Sequence, residues 1–323
     1  MKRRLSLIIT LVMFVSIFTS CGSNKVNSKE AITNDVEVTS KTVTFTDARD
    51  KSVTIDKKPK RVVCLYNSYL DLWYKCGGEV VGRVDEAKEK QVEAAESAAS
   101  VGAPGNPSLE MILSLKPDIV ILSSGFKAQM ALVDTLEQNN IKVIAFKSEL
   151  KNDYYKMVRI FTALTEREDL YKKNGYEVKK KIDEIVSKVP KGNSPKALIL
   201  FATAKGITTK NSNSMVGEML KDLGVINIAY GGKENDSNIF SMEKILEENP
   251  DYIFVQTMGS DMEGIMDRLK KDVESNPAWA SLKAVKNGKY FFLDKKLYLY
   301  RPNDRYAEAY EGLAQKLYPD IFK

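Results

Sequence analysis

From residue 60 onward the chain alternates short apolar runs with longer segments in which apolar positions recur every three to four residues. KRVVCLY (60–66), EVVGRV (79–84), PDIVILS (117–123) and IKVIAFK (141–147) are rich in valine and isoleucine and too short for helices, so they predict strands buried on both faces. Between them SYLDLWYKCGG (68–78), SLEMILSLK (108–116) and KAQMALVDTLEQNN (127–140) carry helical spacing, the first stopped by Gly77 and Gly78. The plan returns after residue 190. KALILFA (196–202), DYIFVQT (251–257) and KYFFLD (289–294) predict strands, and NSMVGEMLKDLG (213–224), SMEKILEEN (241–249), GIMDRLKKDVES (264–275), WASLKAV (279–285) and RYAEAYEGLAQKLY (305–318) predict helices. Such alternation requires right-handed crossovers and a parallel sheet with helices on both faces.

Between the two halves lies TEREDLYKKNGYEVKKKIDEIVSKVP (165–190), a charged rod with a narrow apolar stripe at Leu170, Tyr171, Val178, Ile182, Ile185 and Val186. Thr165 and Glu168 have capping-box spacing. A helix from Glu166 to Lys188 would be roughly 35 Å long at ~1.5 Å per residue. Gly175 is its weak point, costing about 1 kcal/mol relative to Ala, and a hairpin broken there is the alternative. The expected fold is α/β: two Rossmann-like lobes, each with a central, mainly parallel sheet, joined by one long backbone helix that acts as a stiff hinge. The expected divisions are a leader (1–20), a flexible tether (21–42), a first lobe (43–150), a helical connection (151–190) and a second lobe (191–323).

The N-terminus changes the picture of where the chain resides. MKRR is a basic n-region, LSLIITLVMFVSIF an apolar h-region, and TSC follows, the pattern of an export signal. FTSC resembles a bacterial lipobox in which Cys21 is lipidated; Phe18 departs from the usual Leu, whereas Ser20 and Gly22 fit. Plain secretion with a chance cysteine is the alternative. Residues 22 to about 42 are polar and low in aromatics, as a tether would be. With Cys21 lipidated, Cys64 and Cys76 remain, on a strand and near the end of the following helix; two buried free thiols are expected rather than a disulfide.

Of the formal net charge of +6, Lys2, Arg3 and Arg4 contribute three, which leaves +3 from Cys21 onward. Cations and acids are interspersed, so a nucleic-acid partner is not expected. The 323 residues include no histidine. That excludes Ser-His-Asp and Cys-His catalysis, imidazole zinc sites and haem held by histidine. There is no phosphate loop, no GxSxG and no metal-spaced cluster, and the glycines of GGEVVGR (77–83) follow a helix instead of opening one. An enzyme is not expected, and a surface adhesin is the remaining rival.

One phrase occurs twice. SLEMILSLKPD (108–118) and SMEKILEENPD (241–251) both read S-x-E-x-I-L-x-x-x-P-D and both run into an apolar strand. Ser108 and Ser241 are N-cap candidates, which puts Glu110 and Glu243 in exposed first helical turns. Carboxylates are favoured there by the helix dipole in any case, by about 0.3–1 kcal/mol each.

These residues carry a resemblance. RVVCLY, VVGRV and PSLEMILSLKPDIVIL in the first half, with FSMEKILEENPDYIFV, NPAWASLKAVKNGKYFFLD and RPNDRYAEAYEGLAQKLYP in the second, are similar to the class III solute-binding proteins of ABC importers, the branch serving iron-siderophores, haem and cobalamin. The resemblance spans about residues 42–322. With TSC at Cys21 and the polar tether, a lipid-anchored monomer at the outer face of the cytoplasmic membrane is expected. The resemblance further implies that Glu110 and Glu243 dock onto arginines of a permease dimer.

Ligands of open α/β sheets bind beyond the carboxyl ends of the strands. The loops there hold Tyr66, Asn67, Ser68 and Tyr69; Arg83; Ser124, Phe126 and Lys127; Thr203 and Lys205; Gln256 and Met258; and Tyr298, Tyr300 and Arg301. Aromatics with cations suit a large, flat, partly anionic chelate. Arg83 and Arg301 are the first candidates, then Tyr66 and Tyr300, with Tyr69, Lys205, Tyr298 and Lys127 behind them. Trp73 is the expected fluorescence reporter. A metal wrapped by its own chelator needs no protein ligand and no protein-held cofactor, so a ferric siderophore is expected. Haem through Tyr or Met, and a corrinoid with its own axial base, stay open.

Overall fold

The computed structural model describes residues 35–86, 91–192, 194–229 and 241–323. The leader, Cys21 and the tether as far as residue 34 lie outside the described residues, as do 87–90, 193 and 230–240. All described residues belong to one compact unit.

Five parallel strands form the first sheet, in the order Lys142–Phe146, Ile119–Ser123, Val62–Cys64, Gly82–Arg83, Ala99–Ser100. Every residue of Val62–Cys64 and Ile119–Ser123 is buried, as the continuous apolar runs require. The second sheet runs Gly206–Thr209, Lys196–Thr203, Tyr252–Thr257, Tyr290–Phe292, with Ile226–Asn227 beside the start of Lys196–Thr203. Only Gly206–Thr209 is antiparallel. It returns through a tight hairpin that the sequence did not announce, in which the Thr203 hydroxyl accepts from the amides of Lys205 and Gly206.

Alternating residues of Lys196–Thr203 divide the second core. Leu198, Leu200 and Ala202 pack outward with Ile265, Leu269 and Trp279. Ala197 and Ile199 join a central core that also holds Ile121, Ile144, Phe161 and Tyr310. The first sheet has its own outer core, with Val63, Val120, Leu122 and Ile112. The central core therefore runs through both lobes. At about 1.5–3 kcal/mol per large apolar side chain buried, it resists wide opening.

Three departures have local causes. Val36–Val38, inside the expected tether, pairs antiparallel with Thr42–Thr46, which pairs with Ser52–Asp56. Val43, Phe45, Val53 and Ile55 alternate into the core, and Phe45 stacks on Phe146 at 6.3 Å. The proposed capping box at Thr165 does not form. Helix Lys151–Thr165 stops because Glu166 turns left-handed (φ 59°), and the Thr165 hydroxyl donates to the carbonyls of Cys76 (2.6 Å) and Phe161 (3.0 Å). A second helix then runs without a break from Glu168 to Ser187, roughly 30 Å at ~1.5 Å per residue. Gly175 does not open a hairpin. It is buried in a π-turn, Lys172–Tyr176, where Asn174 donates to the Lys75 carbonyl at 2.8 Å.

Cys64 and Cys76 are free and buried. Burial pushes the Cys64 thiol up to about 12, so it stays protonated and unreactive at neutral pH.

Candidate functional site

The repeated phrase is built the same way twice. Ser108 Oγ accepts from the Met111 amide at 3.2 Å, and Ser241 Oγ from the Lys244 amide at 3.4 Å. Ile112 and Ile245 are the buried residues of helices Leu109–Ser114 and Met242–Glu248. Glu110 and Glu243 occupy the first turns and are exposed. The terminal aspartates brace the sheets. Asp118 Oδ2 accepts from the amides of Lys60 and Arg61 (2.7 and 2.9 Å), and Asp251 Oδ2 from the Lys196 amide (2.9 Å). Ser, Ile and Asp of the phrase thus have structural tasks, whereas among the described residues neither glutamate has one beyond its place at the helix start.

At the strand ends the candidates separate. Tyr66 follows Val62–Cys64 and is half-buried. Its ring meets that of Tyr69 edge-on at 4.8 Å and lies 5.8 Å from Phe126, forming an aromatic wall. Tyr69 itself is 1% exposed, and its hydroxyl donates to the Phe146 carbonyl at 3.1 Å. It supports Tyr66 from beneath and does not face the cleft. Tyr298 is likewise buried, its hydroxyl donating to the Ala309 carbonyl at 3.0 Å, so it belongs to the core. Arg83 is committed to its own lobe. Nε donates to the Ala95 carbonyl (3.0 Å) and Nη1 to that of Val84 (3.2 Å), with Asp85 3.4 Å away. Trp73 is also interior, donating to the Glu79 carbonyl at 2.9 Å and packed on Phe161, so it is not placed to touch a ligand. Lys127 and Lys205 are exposed, and Tyr300 is half-buried.

Arg301 is the distinctive cation. It is half-buried, and its Nη1 lies 3.7 Å from Met215 Sδ. Among the described residues it has no carboxylate partner. Burial raises the Tyr69 and Tyr306 hydroxyls, and the Arg301 charge acts on both in the opposite sense.

Sequence reasoning missed Phe201, Lys210 and Met215. Lys210 Nζ sits 4.3 Å from the Phe201 ring centroid. Burial lowers its pKa, opposed by the charge of Glu149. Its position depends on the unannounced hairpin. Below the cleft, Asn303 Nδ2 donates to the Ser68 carbonyl (2.9 Å) and Asp71 Oδ2 (2.7 Å), and Lys75 bridges Asp304 (2.5 Å) and Asp71 (3.1 Å). This clasp ties helix Asn67–Lys75 of the first lobe to the turn after Arg301. Among the described residues no group of three or more Cys, Asp and Glu side chains is arranged to hold a metal ion.

Comparison with known proteins agrees with this architecture. Residues 62–297 match the family described as periplasmic binding protein. The Fe(3+)-citrate-binding protein YfmC of Bacillus subtilis is 28% identical over 304 residues, covering 91% of this chain and 90% of that protein. The putative ABC transporter substrate-binding lipoprotein YhfQ of the same organism is 27% identical, covering 97% of this chain and 98% of that protein. Among solved structures, Staphylococcus aureus SirA complexed with staphyloferrin B superposes with a TM-score of 0.66 at 22% identity, covering 85% of this chain and 98% of that one. At that identity the likeness is one of fold.

Proposed function

This chain belongs to the periplasmic binding protein family, and we propose that it is the extracytoplasmic binding component of an ABC importer, capturing a ferric chelate of the siderophore type between its lobes. The observation that carries the ligand reading is Arg301: a half-buried guanidinium without a carboxylate partner among the described residues, taken with the Tyr66–Phe126 wall of the first lobe. Such a group suits carboxylate or catecholate oxygens, which it can take in a bidentate fork, while the aromatic wall covers the chelate's apolar area. Relatives named for ferric citrate and for an ABC transporter lipoprotein support the reading. With no histidine in the chain, the iron is best carried inside its own chelator, so the protein needs no cofactor and does no chemistry on its cargo. Of the remaining candidates, Lys127 and Lys205 are exposed and Tyr300 is half-buried, open to a ligand's periphery.

The test is a titration of purified protein with ferric citrate, catecholate and hydroxamate ferric siderophores, haem and cobalamin. Saturable binding with thermal stabilisation and no turnover is expected for a ferric chelate. Arg301→Gln should weaken that binding about 10- to 100-fold, the equivalent of the ~1.5–3 kcal/mol of a charged hydrogen bond, with an unchanged melting temperature. Stabilisation by haem or cobalamin alone would overturn the ferric reading and retain the importer class.

The anchor belongs to the same proposal. Cys21 carries lipid, and a monomer sits on the outer face of the cytoplasmic membrane, presenting Glu110 and Glu243 to the two permease subunits. Cys21→Ser should move the protein from the membrane to the soluble fraction of fractionated cells, and unchanged retention would count against the anchor.

A further inference from the structure

We propose that Lys210 determines ligand specificity: from its seat on Phe201 its ammonium takes an anionic oxygen of the bound chelate, so the cleft selects chelates that carry negative charge. The inference rests on the ferric-chelate reading and extends it to the charge of the ligand. The root of the side chain is fixed. The Lys210 amide donates to the Ile199 carbonyl at 3.0 Å, and Asn227 Nδ2 donates to the Lys210 carbonyl at 2.8 Å. The head is not. Among the described residues Nζ makes neither an ion pair nor a hydrogen bond, and its contact is the Phe201 ring at 4.3 Å. Lys75, Lys151 and Lys196, also partly buried, each hold a carboxylate. Lys289 and Lys295, likewise without one, each donate to an oxygen.

The hairpin sets the placement. Phe201 lies near the carboxyl end of Lys196–Thr203, paired with Thr208 across the hairpin and with Gln256 on the other side. Lys210 leads through the turn at Asn211–Ser214 into helix Met215–Asp222. That turn is pressed onto the helix, for a Cβ at Gly217 would collide with the Asn211 carbonyl. The first residue of the same helix, Met215, is the one that Arg301 touches, Nη1 lying 3.7 Å from its Sδ. Two cations without carboxylate partners among the described residues thus belong to the surroundings of one helix start in the second lobe. Burial costs the Lys210 ammonium part of its hydration and lowers its pKa, with Glu149 opposing. An ammonium so placed gains most from an anionic oxygen brought by a ligand.

The experiment compares two ferric chelates of different charge, anionic ferric citrate and a neutral ferric trihydroxamate, on the full mature chain. Lys210→Met should weaken ferric citrate about tenfold or more, leave any hydroxamate affinity within about twofold, and keep the wild-type melting temperature. Lys210→Arg should restore most of the loss. Equal weakening of both chelates, or no weakening of ferric citrate, overturns the inference while the ferric reading stands. A wild-type protein that binds neither chelate overturns the inference, and one that binds no ferric catecholate either overturns the ferric reading with it.

Discussion

Reversing both Glu110 and Glu243 to Lys should abolish uptake of the ligand in cells carrying the cognate permease, while leaving the affinity of the purified protein within about twofold of wild type. Both side chains are exposed on first helical turns, on segments other than those that carry Tyr66, Lys210 and Arg301. A carboxylate in a first helical turn gains about 0.3–1 kcal/mol from the helix dipole, and surface substitutions usually stay within about ±0.5 kcal/mol. Stability should therefore fall only slightly. Docking should respond differently, because like charges opposed across an interface can cost several kcal/mol, and the two lobes present the same carboxylate from the same helical position. Each single reversal should impair uptake and the pair should do so more severely. Normal uptake with both reversed would leave the helix dipole as the whole reason for the repeated glutamate.

The repeat was legible because its parts have local causes: a serine that caps, an isoleucine that buries, an aspartate that holds the neighbouring strand. The parallel strands were legible for a similar reason, since runs such as IVILS admit little besides burial on both faces. What escaped was decided by partners distant in sequence. Val36–Val38 alternates polar and apolar residues too briefly to declare itself, and read alone it passes for part of a polar tether; pairing with Thr42–Thr46 makes it a strand. Strand-end loops identified the cleft but not the direction of each side chain. Tyr69 lies one turn into helix Asn67–Lys75 and turns inward, while Tyr66, just before that helix, remains half-buried. Thr165 and Glu168 have the spacing of a capping box, yet the left-handed Glu166, held by Lys58 at 2.5 Å, ends one helix there instead. Lys210 was hidden because ITTK reads as loop until Gly206–Thr209 is seen to pair with Lys196–Thr203.

Removing the Asn303 side chain should loosen the lobes and weaken ligand binding together. Asn303 is 2% exposed and left-handed, with φ 51°. Its two donors hold Ser68 and the Asp71 carboxylate on the helix that begins directly after Tyr66, and it stands two residues from Arg301. The clasp thus presets the spacing between the aromatic wall of one lobe and the guanidinium of the other. Asn303→Gly keeps the backbone unstrained and deletes the two bonds; with one acceptor charged and both part-buried, a loss of about 2–4 kcal/mol is expected. Asn303→Ala should cost about a further 1 kcal/mol, since a Cβ is disfavoured at positive φ. The shared central core and the unbroken Glu168–Ser187 helix should keep both variants folded. In the wild type, ligand should close the lobes by only a few degrees, visible as a small change in radius of gyration by small-angle scattering. The Gly variant should start more open and close further on ligand, with affinity reduced at least tenfold, because binding must then supply the alignment the clasp had preset. Denaturant unfolding beside the scattering separates the two effects. A variant that loses stability but shows wild-type scattering and wild-type affinity would reduce Asn303 to a packing residue and leave the back helix alone as the hinge.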